Sequence, residues 1–304
     1  MKITKIVVAF LIIASAIFIF SINYFSINLP FLKNAKTVLP GKASEIGAYP
    51  VNTINAELPP ELTARAATVI DNTTGITLYE KNPGLKHLPA STTKLMTALV
   101  TLEGCWSGQI IKVGFVQKDG SLMGLSEGDS VTVENLLYGL LVPSGNDAAY
   151  TLAYSCADSY QDFISQMNKK AKSLGMTNTH FVNPAGYDDD LQYSTAADLT
   201  KLSRAAVANP LIAKIVKTKS IVVNDKTGIK TYFLENVNKL LGVVPGVEGV
   251  KTGRTEGSLE NLVTKTTRNG HSVITIVLGS QDRFGESTSL IEWAFKNHNW
   301  INPN

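Results

Sequence analysis

The sequence predicts an α/β domain: an antiparallel sheet flanked by helices, plus an all-helical lobe, behind an N-terminal transmembrane helix. Three observations predict it. An uncharged apolar run opens the chain. Strand-like segments with turn signals lie at both ends of the region after residue 60. Between them stands a series of segments with helical periodicity.

Lys2 and Lys5 precede the apolar run from Ile6 to Ile22, which continues weakly through Tyr24, Phe25, Ile27 and Leu29. That is longer than a signal-peptide core and near the length of a spanning helix. The small-x-small triplet Ala14-Ser15-Ala16 lies inside the run, and cleavage there would leave apolar residues at the new terminus. Residues 1–5 are therefore expected as a cytoplasmic tip and 6–27 as a single-pass anchor, with a cleaved signal peptide as the alternative. Lys33 and Lys36 lie just past the run, so the positive-inside rule does not set the orientation. Residues 28–60 contain Pro30, Pro40, Pro50, Pro59 and Pro60 and read as a flexible linker. The folded domain is expected over 61–304.

Within it, residues 67–71 and 76–80 read as a hairpin around Asn72-Thr73-Thr74-Gly75. Pro89 and Ala90 lead into a helix with Leu95, Met96, Leu99 and Leu102 on one side. Thr132 suits the cap of a helix carrying Leu136, Leu137, Leu140 and Leu141, which Pro143 stops. Residues 147–155, 162–174 and 195–207 read as further helices. Strands follow at 220–223 and 230–233, around Asp225-Lys226-Thr227-Gly228, and at 247–252, 262–267 and 272–278. Asn269-Gly270 joins the last two as a tight turn, and residues 286–297 close the chain as a helix.

The net charge of +3 resides in residues 1–60, which hold five lysines and two acids; the remainder balances 23 basic against 23 acidic side chains. The folded part has no basic surplus for nucleic acid, and no basic tract interleaved with aromatics occurs. His87, His180, His271 and His298 lack metal-ligand spacing, so neither a metal nor a cofactor is expected.

Ser91-Thr92-Thr93-Lys94 stands at a predicted helix start. A lysine three residues after a serine shares its helix face and can take the hydroxyl proton, provided burial and a nearby cation lower its pKa. Lys251 is the candidate second cation. Alone, Ser-x-x-Lys is expected about once by chance in a chain of this length. Two further elements add weight. Ser144-Gly145-Asn146 lies between two predicted helices, where its hydroxyl can relay a proton and its amide can hold a substrate carbonyl. Lys251-Thr252-Gly253 lies on a predicted strand; its lysine and hydroxyl suit a carboxylate, and its glycine lets a substrate backbone lie against the strand. This order on helix, loop and strand is close to the set found in class A β-lactamases and penicillin-binding proteins.

Over residues 62–300 the chain resembles the D-alanyl-D-alanine carboxypeptidases, the low-molecular-mass penicillin-binding proteins. Beyond the three motifs, the resemblance rests on Leu88 to Thr97, Pro143 to Ala149, Leu174-Gly175-Met176, Thr179-His180-Phe181 with Asn183-Pro184, Tyr193 to Ala196 with Asp198-Leu199, and Gly249 to Gly253. It implies the β-lactamase/DD-peptidase fold, peptidoglycan stem peptides as substrate, β-lactam antibiotics as inhibitors, and a catalytic domain outside the bacterial cell membrane. It implies Ser91 as the acylated nucleophile, Lys94 as its base and Ser144 as a proton relay. Asn146, Lys251, Thr252 and Gly253 would hold substrate, and the amides of Ser91 and Arg254 would form the oxyanion hole. Arg283 matches an arginine near the carboxylate pocket. Two departures stand out. Ser258-Leu259 replace the family's Ala-Gly, and the C-terminal β-rich domain common in the family is not expected here. A β-lactamase or esterase on the same fold and a non-catalytic wall-binding module are the rival readings. Cys105 and Cys156 suit a disulfide in an exported domain, against two buried free thiols.

Overall fold

The computed structural model describes residues 47–303. The predicted span at 6–27, and the linker as far as residue 46, lie outside the described residues. Among the described residues no helix is long and apolar enough to cross a membrane.

Five antiparallel strands form the central sheet, in the order β3-β2-β10-β9-β8. They are β2 (Ala66–Asp71), β3 (Thr77–Lys81), β8 (Val247–Thr255), β9 (Leu259–Arg268) and β10 (His271–Ser280). Chain order differs from sheet order because all the helical residues but one helix are inserted between β3 and β8. β2 is buried at every position, and β10 at every position but its first. Both are covered on two faces, so their sequences run apolar instead of alternating. One face receives the last helix, α7 (Arg283–Asn297), whose Leu290 and Ala294 pack on Ala67, Val69, Val273 and Val277. The other carries Ile70, Val263, Ile274 and Ile276 into the core of the helical lobe.

That lobe is built on α1 (Lys94–Gly104), with α2 (Val133–Leu141), α3 (Asn146–Ser155), α4 (Tyr160–Ser173), α5 (Ala196–Ala208) and the short α6 (Pro210–Val216). The apolar spacing in α1 predicts one buried side, but every residue from Lys94 to Thr101 is buried. The helix runs through the middle of the lobe, and its polar Thr97 hydroxyl is satisfied by the Pro184 carbonyl at 2.7 Å. Thr132 does cap α2, its side chain accepting from the Asn135 amide at 3.2 Å.

Four short strands escape the sequence reading: β1 (Tyr49–Asn52), β4 (Ile110–Lys112), β5 (Ser130–Thr132) and β11 (His298–Ile301). The pairing of β1 with β11 corrects the linker boundary. Residues 49–52 belong to the folded unit, which begins at Gly47 rather than at residue 61. Pro50 reads as a linker residue in sequence, yet it is tolerated here because β1 is the edge of a two-stranded sheet. β6 (Ser220–Asn224) and β7 (Thr231–Glu235) form the predicted second hairpin.

Candidate active site

Ser91 does not sit on the α-helix itself. It lies on a 3-10 turn, Ala90–Thr93, that runs directly into α1. In 3-10 geometry side chains at i and i+3 eclipse, which aligns Ser91 with Lys94. Ala90 holds φ at +47° and Ser144 at +67°, left-handed backbone that costs a non-glycine residue energy and persists where the surroundings enforce it. Both residues are at the heart of the site.

Lys94 is fully buried. Its Nζ lies 2.9 Å from Ser91 Oγ, 2.8 Å from Asn146 Oδ1 and 2.6 Å from the Ala185 carbonyl. Burial pulls its pKa down to about 7, against a weaker opposing pull from Asp147. Lys251 is also buried, and its Nζ donates to Ser144 Oγ at 2.8 Å and to the Thr252 carbonyl at 2.9 Å. Burial first, then the charges of Lys94 and Arg283, push its pKa well below the ordinary lysine value.

β8 forms the free edge of the sheet and runs beside the Ser91 turn. A Cβ at Gly253 would lie 3.0 Å from both Ala90 Cβ and the Ser91 amide nitrogen, so the close approach depends on glycine. Arg283 donates through Nη1 to the Gly253 carbonyl at 2.8 Å, reaching the same strand from the start of α7. Arg254 is exposed. It lines a cavity of about 690 Å³ with Glu256, Leu259 and Glu260. This is where Ser258 and Leu259 depart from the family pattern, and Leu259 takes φ of +54°.

The segment 183–188 contacts the Ser91 turn, Lys94, Asn146 and the β8–β9 turn. The Asn183 side chain accepts from the amides of Ala185, Gly186 and Tyr187 and folds residues 183–187 into a tight loop. The loop supplies the Ala185 carbonyl to Lys94. Gly186 packs so closely on the Ala90 carbonyl that any Cβ there would collide with it. The Tyr187 hydroxyl accepts from Asn146 Nδ2 at 2.9 Å. Asp188 accepts from Thr255 Oγ1 at 2.6 Å and from the Gly257 amide at 3.0 Å, gripping the β8–β9 turn. The Asn183-Pro184 pair marks this loop in the sequence. Asp147 anchors the other rim: its buried carboxylate accepts from the amides of Met123, Gly124, Leu125 and Ala148 at 2.9–3.0 Å.

The structure thus brings Ser91, Lys94, Ser144, Asn146, Lys251 and Gly253 together, with Arg283 at the strand edge. The family model described as D-alanyl-D-alanine carboxypeptidase matches residues 53–282, most of the chain. The chain belongs to that family. A D-alanyl-D-alanine carboxypeptidase from Streptomyces is 36% identical over 274 residues, covering 83% of this chain and 93% of the relative. The Bacillus subtilis D-alanyl-D-alanine carboxypeptidase DacF is 34% identical, covering 77% of this chain. The chain spans 63% of the length of that Bacillus relative. The crystal structure of a Streptomyces DD-transpeptidase superposes with a TM-score of 0.74 at 35% identity, covering 79% of this chain and all of the other. A penicillin-binding protein homologue from Mycobacterium tuberculosis gives 0.75 at 31% identity, covering 81% and 96%. The antiparallel sheet flanked by helices is the family's fold.

Cys105 and Cys156 are joined by a disulfide, with Cα atoms 5.4 Å apart. It ties the end of α1 to the end of α3, the helices that begin at Lys94 and Asn146. The bond braces the two elements that carry the base and its partner.

Proposed function

We propose that the chain is a serine-type D-Ala-D-Ala carboxypeptidase that removes the terminal D-alanine from peptidoglycan stem peptides and is acylated by β-lactams. The carrying observation is the hydrogen-bond set of Lys94. Asn146 Oδ1 and the Ala185 carbonyl can only accept. A neutral amine has two N–H groups and one lone pair. With both N–H groups given to those acceptors, the lone pair is left for Ser91 Oγ. A pKa of about 7 makes the neutral form accessible at ordinary pH.

In the first step Ser91 Oγ gives its proton to Lys94 Nζ and bonds to the carbonyl carbon between the two D-alanines. The amides of Ser91 and Arg254 receive the oxyanion, a donor pair of the kind worth about 3 kcal/mol per member. The C–N bond then breaks, and the proton taken up by Lys94 passes to the leaving amine through Ser144, whose Oγ accepts from Lys251 at 2.8 Å, leaving Lys94 neutral again. Water completes hydrolysis of the acyl-enzyme. Lys251, Thr252 and Arg283 bind the terminal carboxylate. The incoming anion stabilises the Lys251 ammonium, which burial first and then the neighbouring positive charges disfavour.

A second outcome for the same acyl-enzyme is transfer to an amine, since the Streptomyces relatives carry the names carboxypeptidase and DD-transpeptidase. The β-lactamase reading is disfavoured. Residues 183–192 hold no glutamate to serve as a deacylation base; their acids are Asp188, Asp189 and Asp190, and Asp188 is engaged by Thr255 and Gly257. Residues 6–27 serve as a single-pass anchor in the bacterial cell membrane and hold the domain outside it, a reading supported by the apolar run and by a disulfide that needs an oxidising compartment.

The test is release of D-alanine from a defined pentapeptide by the full chain. Release that vanishes in Ser91→Ala supports the proposal. Absence of release together with rapid turnover of penicillin would replace it with the β-lactamase reading.

A further inference from the structure

Phe115, Tyr150, Tyr154, Tyr160 and Tyr187 form one continuous aromatic stripe on the helical lobe. Tyr187 and Tyr150 have ring centroids 6.3 Å apart, and Tyr150 and Tyr160 stack at 5.9 Å within 5° of parallel. Tyr154 lies 5.1 Å from Tyr160 and 6.4 Å from Tyr150, and Phe115 lies 5.6 Å from Tyr154. The stripe starts in the site, where the Tyr187 hydroxyl meets Asn146 at 2.9 Å. It ends at the surface, where Tyr154 is 49% and Phe115 50% exposed. Tyr150 and Tyr154 are one turn apart on α3, while that helix buries Ala149, Leu152 and Ala153 on its other side. The chemistry at Ser91 uses none of the outer four rings.

We propose that this stripe docks the glycan strand from which the stem peptide hangs. The proposal rests on the peptidoglycan reading above and extends it from the scissile peptide to the polymer. Pyranose rings present flat C–H faces that stack on aromatic rings, and their hydroxyls meet phenol hydroxyls. An uncharged sugar chain needs no ion pairs. The rings themselves carry no charge, and the charged residues within three positions of them are mostly acidic: Asp147, Asp158, Asp162, Asp188, Asp189 and Asp190 against Lys112 and Lys118. A lipid surface would call for a basic fringe beside the rings. The reach also fits. An extended peptide advances about 3.4 Å per residue, so a stem of four or five residues spans about 15 Å. Tyr154 stands two ring spacings, 6.3 and 6.4 Å, from Tyr187.

The test compares the full chain with Phe115→Ala/Tyr154→Ala on two substrates: free pentapeptide, and uncrosslinked glycan strands bearing pentapeptide stems. The expected result is a fall of about tenfold in kcat/KM on the polymer, equivalent to about 1.4 kcal/mol, with the free peptide and the penicillin labelling rate within about twofold. An unchanged polymer rate overturns the proposal. So does an equal fall on both substrates, which would make the rings mere supports of the site. So does loss of binding to phospholipid vesicles with polymer kinetics intact, which would make the face a membrane contact. Binding of peptide-free glycan strands to Ser91→Ala separates this inference from the catalytic reading. Weaker binding in the added double variant supports docking even if no D-alanine is released, and absence of binding to the parent overturns it. The single variant Tyr154→Ser, expected to shift the polymer rate in the same direction, covers the case in which the double variant misfolds.

Discussion

Two single residues decide the chemistry. Lys94 must be neutral to take the proton of Ser91, and its pKa is held at about 7 by burial. The sign follows directly: the amine is protonated below that value, so acylation slows toward acid. We predict that the rate of labelling by a fluorescent penicillin falls about tenfold per unit below pH ~7 and levels off above it. A flat profile between about pH 5 and pH 9 would remove Lys94 as the base. Gly253 decides how near β8 comes to the nucleophile. The alanine Cβ of Gly253→Ala would sit 3.0 Å from Ala90 Cβ and the Ser91 nitrogen, so the strand must shift by a few tenths of an ångström. Reacting groups are sensitive to displacements on this scale, and we predict a loss of about tenfold or more in labelling rate. The melting temperature should change little; a collapse in stability with normal labelling of the folded fraction would contradict this. Both residues were legible in sequence, because their roles depend on side-chain identity at a fixed spacing. Ala185, which gives Lys94 a backbone carbonyl, was not, since any residue carries that group.

Among the elements, α1 and α3 carry most of the site, and the disulfide joins their far ends. Closing a loop with a sequence separation of 51 residues is worth about 4 kcal/mol in the chain-entropy description. Reduction, or Cys105→Ala/Cys156→Ala, is predicted to lower the melting temperature by several degrees while Ser91 still acylates. Unchanged thermal unfolding after verified reduction would contradict the bracing role. The longer elements were readable from their own residues: Thr132 as the cap of α2, and Asn269-Gly270 as the turn between β9 and β10. β4, β5 and α6 were not, because three to seven residues give too little periodicity to separate from loop. α1 was read with the wrong surroundings. Its small and polar positions, such as Thr97 and Thr101, look solvent-facing in sequence and are buried by neighbours from every side.

At the scale of the whole molecule, the site is a seam between the helical lobe and the edge of the sheet. Ser91, Lys94 and Asn146 come from the lobe; Lys251 and Gly253 come from β8. Asp188 crosses the seam, with two hydrogen bonds onto the β8–β9 turn. Asp188→Ala is predicted to cost about tenfold in kcat/KM with little change in melting temperature, and Asp188→Asn to recover part of it. Equal loss of stability and rate would make the contact merely structural. The pairing of β1 with β11 brings the two ends of the described chain together, a long-range contact that neither segment announces. The central claim is that Ser91, aimed at the lone pair of Lys94, is the atom that becomes acylated. Mass spectrometry of the full chain after brief exposure to benzylpenicillin tests it most directly. The account predicts a single penicilloyl adduct on the peptide bearing Ser91, absent in Ser91→Ala; an adduct on another residue, or one that persists in Ser91→Ala, would contradict it.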